Sequence, residues 1–446
     1  MEIKPATSTE KTSNLSMETS SNAPRPGLSA RVWAAVILLG FSGQLAWGVE
    51  NQYFNTFMYD KITPDPRPIS WMVAASAIAA TLTSLLMGTL SDRTRTRWGK
   101  RKPFILFGYL AWGVATAAFP SAAFLRPIGL AVGIAILFDC IMTFFGSTAN
   151  DASLNAYVTD VTTKENRGRV VGVMEILTWV AILIVYGASG LIIEAWGYFT
   201  FFYLIGGMVF VLGLIGGLLV REQPDPTPPS RSYWGQIGDT FKSANLRANR
   251  SLFLLLFALT LYGIAEQIFF PYLIIYLNHY LKLPTLQASL LIFVCILVGG
   301  IALAYPFGVL ADRIGRKWLA FGAIALKMTG LILFSLMHTI VPLALTGILW
   351  LAGMSAWMIS TGAWTKDLYP EDKRGQFAGY FILFTVAFAM VPGPLIGGWL
   401  GTHFGIPTMI NGQAGFIPTP LIFQVAGLAT LMATIPLFFV KESGKK

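Results

Sequence analysis

Long apolar runs recur from one end of this 446-residue chain to the other. Each run holds roughly 20 residues, which at about 1.5 Å per helical residue can cross the ~30 Å hydrocarbon core of a bilayer. Hydrophobic residues make up 54% of the chain and charged residues only 12%, a composition typical of a protein that lies in lipid. Backbone polar groups in lipid must bond within their own segment, so we predict an all-α integral membrane protein. The twelve predicted transmembrane helices lie at 33–57, 69–90, 103–125, 128–158, 170–193, 198–220, 251–277, 285–310, 317–339, 341–365, 375–400 and 420–440.

Two charged turns appear twice, about half a chain length apart. The pattern Gly-x-x-x-Asp-Arg occurs at 88–93 and again at 308–313, and an Asp precedes an Arg-Gly pair by the same spacing at 160–168 and 367–375. The chain is therefore predicted to be two pseudo-symmetric six-helix bundles, an arrangement typical of alternating-access transporters. The predicted parts are a disordered cytosolic tail at 1–30, an N-terminal bundle at 31–220, a cytosolic linker at 221–250, a C-terminal bundle at 251–440 and a cytosolic tail at 441–446.

The positions of the basic residues predict the orientation of the helices. When both termini are placed in the cytosol, outer loops hold only Lys61, Arg67, Arg126 and Lys282, and Lys327 lies within a predicted span. All other Lys and Arg residues fall on cytosolic segments, as the positive-inside rule requires. The net charge of +10 therefore encodes orientation and does not indicate a nucleic-acid partner. We expect a multi-pass protein of a cell membrane with both termini cytoplasmic.

The repeated turns predict a gate at the cytosolic ends of helices 2 and 8. A carboxylate there can accept hydrogen bonds from a neighbouring helix N-terminus and from Arg97 or Arg101, forming a latch that breaks when the inner mouth opens. Solvated surface charges are the alternative. Two prolines in helix 11 interrupt the helical ladder and offer a bending point, although tight packing explains them almost as well. The predicted gating residues are Asp92, Arg93, Arg97, Arg101, Asp312, Arg313, Pro392 and Pro394.

These turns resemble the signature between helices 2 and 3 of the major facilitator superfamily. The segment 91–104 is similar to the longer form found in the glycoside, pentoside and hexuronide cation symporters, particularly the branch that holds plant sucrose carriers and their animal relatives. The segment 48–53 resembles the first-helix glutamate motif of those animal relatives. The resemblance implies the major facilitator fold and cation-coupled transport of a sugar or glycoside.

Two departures from the family pattern limit what the resemblance implies. The sodium-using melibiose carriers have acidic residues on helix 2, whereas the segment 69–90 contains none, so a proton is the expected coupling ion. The sucrose carriers have an Arg shortly before the Asp that ends helix 4, where this chain has Asn155, which puts sucrose itself in doubt.

Ionisable residues inside the predicted spans indicate where substrate and proton bind, because each is costly in lipid. Glu50 and Glu266 occupy equivalent positions in helices 1 and 7, near mid-membrane. Carboxylates and amides beside them can bond vicinal hydroxyls, and aromatic rings offer flat faces to a pyranose, although for any one aromatic packing between helices is the favoured alternative. The predicted substrate-binding residues are Trp47, Glu50, Asn51, Gln52, Tyr53, Asn150, Tyr262, Glu266 and Gln267.

A coupling group must gain and lose a proton and must sense the substrate. Glu50 meets both conditions best, Asp151 could exchange a proton with a cytosolic cavity, and Glu266 could serve chiefly as a sugar ligand; which of the three carries the proton stays open. For Asp139 a helix–helix hydrogen bond without a role in transport is favoured. Glu175 is expected to pair with Arg167 or Arg169, and Lys327 either to neutralise a carboxylate or to extend its charge to the membrane surface.

The sequence shows no metal-ligand cluster and no nucleophile–base arrangement, so we predict neither an enzyme nor any cofactor beyond the coupling proton. Cys140 and Cys295 lie within predicted spans and indicate no disulfide. The predicted protein is a monomeric, proton-coupled importer of a sugar or glycoside. A proton-driven exporter of drugs or metabolites and a non-transporting membrane sugar sensor remain as alternatives.

Overall fold

The computed structural model describes residues 28–163, 166–222, 249–368 and 380–441. Most of these residues are helical, so the predicted all-α membrane fold is confirmed. Nearly all of the predicted N-terminal tail, linker and C-terminal tail, and the Arg-Gly pair at 374–375, lie outside the described residues. The helices are α1 (Ala30–Ile62), α2 (Pro66–Arg93), α3 (Lys102–Phe124), α4 (Ile128–Val161), α5 (residues 167–196), α6 (residues 198–219), α7 (Arg250–Tyr280), α8 (Thr285–Ile314), α9 (Arg316–Leu336), α10 (Ile340–Leu368), α11 (Tyr380–His403) and α12 (Leu421–Phe439).

Helices α5 and α6 follow each other directly within the stretch Arg167–Leu219, and Gly197 alone separates them. The stretch has 53 residues, and the backbone of Gly197 leaves the helical region with φ of 78° and ψ of 170°. A straight helix of that length would run roughly 80 Å, far more than one bilayer crossing needs. The break therefore separates two crossings, and the described residues contain the twelve predicted helices.

The two halves of the chain, α1–α6 and α7–α12, meet through two pairs of helices. α2 packs against α11, and α5 packs against α8. If the second half repeats the first, α8 is the repeat of α2 and α11 is the repeat of α5, so each pair is the counterpart of the other. This arrangement agrees with the internal duplication of the sequence.

The duplicated charged turns both contain a glycine that no other residue replaces easily. Gly99 has a φ of 109° and Gly315 has a φ of 90°, both in the region that side chains disfavour. At Gly99 an added Cβ would also collide with a carboxylate oxygen of Glu222. The glycines therefore let the chain reverse direction between α2 and α3 and between α8 and α9.

A short β-hairpin joins α11 to α12, a segment where the sequence analysis assigned no strand. Strands β1 (Ile406–Ile410) and β2 (Gln413–Ile417) pair antiparallel. Asn411 and Gly412 form the turn with φ of 52° and 76°, the left-handed backbone that Asn-Gly favours in a two-residue hairpin. The hairpin contacts the end of α1, because Tyr59 donates to the carbonyl of Phe416 at 2.9 Å.

The helices run between two ends of the molecule, which we name by the position of the chain termini. The terminal end is where α1 begins and α12 ends, and the opposite end carries the hairpin. Near the opposite end, an aromatic cluster fills the space between α1, α3 and α6, with the rings of Phe54 and Phe119 stacked at 3.8 Å. Other buried rings of this cluster include Tyr53, Phe57, Phe201 and Phe202.

Candidate functional site

A cavity of about 370 Å³ lies between the two halves, midway along the helices. Helices α1, α2 and α4 line it from one half, and α7, α10 and α11 line it from the other. A second cavity of about 230 Å³ shares Trp47, Asn51, Phe270 and Met354 with it and is mostly apolar. Six of the predicted site residues line the first cavity: Trp47, Glu50, Asn51, Asp151, Glu266 and Gln267.

Glu50 presents its carboxylate to this cavity from α1. Its Oε1 accepts hydrogen bonds from Ser76 Oγ and Thr143 Oγ1, both at 2.9 Å. The two hydroxyl oxygens are themselves 2.6 Å apart. Oε2 of Glu50 is buried and has no hydrogen-bond partner among the described residues. Glu50 begins a π-helical turn, a wider winding that is frequent at functional sites.

Asp151 faces the cavity from α4, which winds as a π-helix over Ser147–Leu154. Its two carboxylate oxygens accept from Asn150 Nδ2 at 2.9 Å and from Ser147 Oγ at 3.1 Å. Trp47 lines the same cavity as Asp151. Asn150 is buried behind the aspartate, where it accepts from Tyr109 at 3.0 Å, so it supports Asp151 and does not line the cavity.

Glu266 faces the cavity from α7 and forms an ion pair with Lys327 of α9. Lys327 is fully buried, so it neutralises a carboxylate and does not extend to the membrane surface. Its Nζ lies 3.7 Å from the centroid of the Tyr262 ring, a cation–π contact. The Tyr262 ring stacks on Trp357 at 4.3 Å, which places this predicted binding residue beneath Lys327 and outside the cavity lining.

Two other predicted binding residues lie between the halves, away from the cavity lining. Gln52 Nε2 donates to the carbonyl of Phe270 at 2.8 Å, and Tyr53 bonds to Ser289 Oγ at 2.9 Å. Both side chains are fully buried. Each bond joins α1 to the second half, so Gln52 and Tyr53 help to hold the halves together.

Asp60 closes the opposite end, which sequence reasoning did not anticipate. Its carboxylate accepts from Tyr198 at 2.7 Å and bonds His279 Nε2 at 2.8 Å, and its carbonyl accepts from Asn411 Nδ2 at 2.9 Å. Asp60 and Tyr198 belong to the first half, whereas His279 and Asn411 belong to the second. No sequence signal pairs these residues, because α1 and α7 meet only through the tertiary fold.

At the terminal end, the predicted latch residue Asp92 pairs with Arg101 of the same half. Arg101 is buried and also bonds Ser91 Oγ at 2.7 Å and Asp160 at 3.3 Å. The backbone N–H groups at the start of α3 donate to the carboxylate of Glu222 and not to that of Asp92. The distances are 2.9 Å from Arg101 N and 3.0 Å from Lys102 N. Glu222 was missed because its place after α6 gives no sign that it caps α3.

The remaining predicted gating residues have separate surroundings. Arg97 lies over the Trp98 ring at 5.6 Å, and Arg93 and Arg313 are exposed, as is Asp312. In the second half, Arg316 of the duplicated turn pairs with Asp367. The helical run of α11 is interrupted between Phe388–Met390 and Pro392–His403. Pro392 and Pro394 flank Gly393, whose missing side chain lets α11 approach Gln267 of α7 closely.

Glu175 lines the second cavity and forms no ion pair with Arg167 or Arg169 in the described part of the chain. Arg167 donates to Thr162 Oγ1 at 3.1 Å and to the carbonyl of Thr159 at 3.2 Å. The pairing expected from the sequence assumed that neighbours in sequence face each other, whereas Glu175 points toward the second half. The wall of this second cavity also includes the aromatic side chains of Trp179 and Trp350.

Comparison with known proteins places this arrangement among membrane transporters. A family model described as Major Facilitator Superfamily matches residues 32–304 and 255–446. Among curated proteins, the Inner membrane transport protein YajR of Escherichia coli (strain K12) is 38% identical over 101 residues. That match spans only 22% of this chain and 22% of the relative.

Solved structures resemble the chain over nearly its whole length. A mutant of the nucleoside transporter NupG gives a TM-score of 0.73 at 16% identity, covering 92% of this chain and 99% of that one. A bacterial homolog to the human lysosomal transporter Spinster, in an inward-facing and occupied conformation, gives 0.62 at 12% identity, covering 94% and 95%. At such identities the likeness shows the fold alone.

Proposed function

This chain belongs to the Major Facilitator Superfamily, which makes it a membrane transporter rather than an enzyme, and we propose that it carries a sugar or glycoside together with a proton. The observation that carries the proposal is the composition of the cavity wall. Glu50, Asn51 and Gln267 present carboxylate and amide groups from both halves, beside the ring of Trp47. Such groups bond neutral hydroxyls in pairs, and the ring packs against the apolar face of a sugar.

The charge of the cavity favours a neutral substrate over an organic anion. Glu50, Asp151 and Glu266 all line it, and the basic group beside them, Lys327, is already bound to Glu266. An anionic substrate would meet carboxylates with no available cation among the described lining residues. A polyol, in contrast, can donate its hydroxyl protons to these oxygens.

The proposed cycle is alternating access by a monomer in a cell membrane, with both termini in the cytosol. The positive-inside distribution of Lys and Arg supports this orientation and makes the terminal end cytosolic. The bonds of Asp60 and Tyr53 then close the outer end across the halves, whereas those of Arg101 stay within one half. This pattern supports an inward-facing state of the proposed cycle.

We assign the coupling proton to Glu50, ahead of Asp151 and Glu266. Glu50 has an unpartnered buried oxygen and no ion-pair partner among the described residues, whereas both oxygens of Asp151 accept hydrogen bonds. Glu266 also has one unpartnered oxygen, but its charge is neutralised by Lys327. The sequence resemblance of segment 91–104 supports placing the chain in the sucrose-carrier-like branch.

A counterflow screen in proteoliposomes tests the function. Vesicles preloaded with single unlabelled sugars, glycosides or nucleosides are diluted into the labelled compound, with protein-free vesicles as the control. We expect uptake of at least one sugar or glycoside, accumulation driven by an inward proton gradient, and its loss with a protonophore. Uptake that depends on sodium, net outward flux of apolar compounds, or binding without label movement would each contradict the proposal.

A further inference from the structure

A second carboxyl group lies directly behind Glu50. Asp139 of α4 is 2% exposed and lies one turn before Thr143 on the same face of the helix. Thr143 donates to Glu50 Oε1 at 2.9 Å, so Asp139 lies one helical turn from a direct partner of Glu50, and the two carboxyl groups interact electrostatically. Asp139 is therefore more than a contact between helices, because its neighbour is a carboxyl group that lines the transport cavity.

The hydrogen bonds of this cluster do not close without an extra proton. Ser76 and Thr143 have one hydroxyl proton each, and their oxygens are 2.6 Å apart, so one of the two protons can serve the bond between them. At least one proton then remains for the carboxyl oxygens. Glu50 Oε2 and Asp139 Oδ1 are both buried without a hydrogen-bond partner in the described part of the chain. Two carboxylates cannot bond each other, since neither has a donor.

The charges around the cluster also require a proton. Glu50 interacts electrostatically with Asp139 and Asp151, and the nearby Cys140 is a thiol. From α2, the neutral hydroxyl of Ser76 contacts Glu50 and supplies no positive charge. The buried ammonium group of Lys327 is already bound to Glu266 in the other half. Two adjacent carboxyl groups in a site of low dielectric hold one proton between them more readily than two negative charges.

We propose that Glu50 and Asp139 form a carboxyl pair that holds the coupling proton in common, with Asp139 as a positioning residue that acts through Glu50. The inference rests on the proposed proton coupling and names the second group of that site. The proton moves between Glu50 Oε2 and Asp139 Oδ1, where an O–H bond breaks on one oxygen and forms on the other. With the proton on Asp139, Glu50 faces the cavity as a carboxylate that accepts a sugar hydroxyl.

This pair explains how proton and sugar depend on each other. Without the proton, both groups carry negative charge and repel each other, so the cluster is not preorganised for the substrate. With one proton, the pair keeps a single negative charge, and that charge can face the sugar. Proton binding therefore precedes or accompanies sugar binding.

Infrared difference spectroscopy of the full-length purified protein, without sugar, tests the shared proton. The wild-type protein should show the carbonyl band of a protonated carboxylic acid, and this band should be absent from both Glu50→Gln and Asp139→Asn. In either variant the new amide can donate to the remaining carboxylate and replace the proton. Asp151→Asn, on the same helix as Asp139, is the matched control and should keep the band.

Each other outcome overturns the pair. If the band survives in one of the two variants, the proton belongs to the remaining residue alone. If sodium removes the band at constant pH, a sodium ion and not a proton occupies these oxygens. A third variant, Asp139→Glu, should restore the band and uphill uptake if Asp139→Asn has lost them, which separates a proton role from a folding defect.

The transport measurement separates this inference from the proposed function. Asp139→Asn should lose uphill accumulation and keep counterflow of the same sugar. If it accumulates sugar as the wild type does and keeps the band, the pair is refuted although proton-coupled transport stands. If no sugar moves in any protein and the band still disappears in both variants, the proposed function fails and the pair stands.

Discussion

Removal of the Lys327 ammonium group should destabilise the second half strongly. In Lys327→Met the side-chain length is nearly kept, but Glu266 loses its ion-pair partner. Oε1 of Glu266 already has no hydrogen-bond partner among the described residues, so the variant leaves the whole carboxylate uncompensated. The ammonium group also leaves the face of Tyr262, which it contacts at 3.7 Å.

The expected cost follows from the burial of the pair. Removing one partner of a buried ion pair costs about 3–5 kcal/mol, because the remaining charge stays in a site of low dielectric. A desolvated cation–π contact contributes roughly 2 kcal/mol, and part of that is lost as well. In the double variant Lys327→Met/Glu266→Gln no charge remains, so most of the first cost should be recovered.

Thermal unfolding of the purified wild type, Lys327→Met and the double variant in detergent measures these differences. Lys61→Met is the matched control, since Lys61 is exposed and lies over the Tyr198 ring at 5.8 Å, and its unfolding temperature should stay close to that of the wild type. If Lys327→Met is as stable as this control, or if the double variant is no more stable than Lys327→Met, the pair does not stabilise the fold as argued.

Three further changes test the cavity and the two ends. Glu50→Gln should abolish uphill uptake while counterflow persists, and the assignment is reversed if Asp151→Asn shows that phenotype and Glu50→Gln still accumulates sugar. Asp92→Asn should slow transport severalfold with sugar binding and folding retained, because it removes the carboxylate bound by the arginine at the start of α3. This ion pair lies within one half and is intact in the proposed inward-facing state, so its expected role is to hold α2 against α3 at the terminal end, and a normal transport rate would exclude that role. His279→Ala should weaken closure of the opposite end, since it removes the bond to Asp60, and should increase labelling of the cavity by a reagent that cannot cross the membrane; unchanged labelling would show that the remaining contacts suffice.

The sequence by itself determined the framework of this protein. The apolar runs fixed twelve helices because lipid leaves the backbone no other way to satisfy its polar groups. The duplicated turns fixed the division into two halves, and Glu50 and Glu266 at equivalent depths indicated a site between them. The helix prediction is confirmed because it depends on the local composition of each segment, whereas the predicted division and site depend on the repetition of the pattern.

Only the tertiary structure decided which faces of the helices meet. Successive helical residues are rotated by about 100°, and π-helical turns change that angle locally, so neighbours such as Glu50 and Gln52 face different surroundings. Both were predicted to bind the substrate, whereas in the structure Gln52 lies in the contact between the halves. The partners of Asp139 and of Asp60 likewise lie on helices far apart in the sequence. Contacts between such helices depend on how all of them pack together, and a single sequence does not record that.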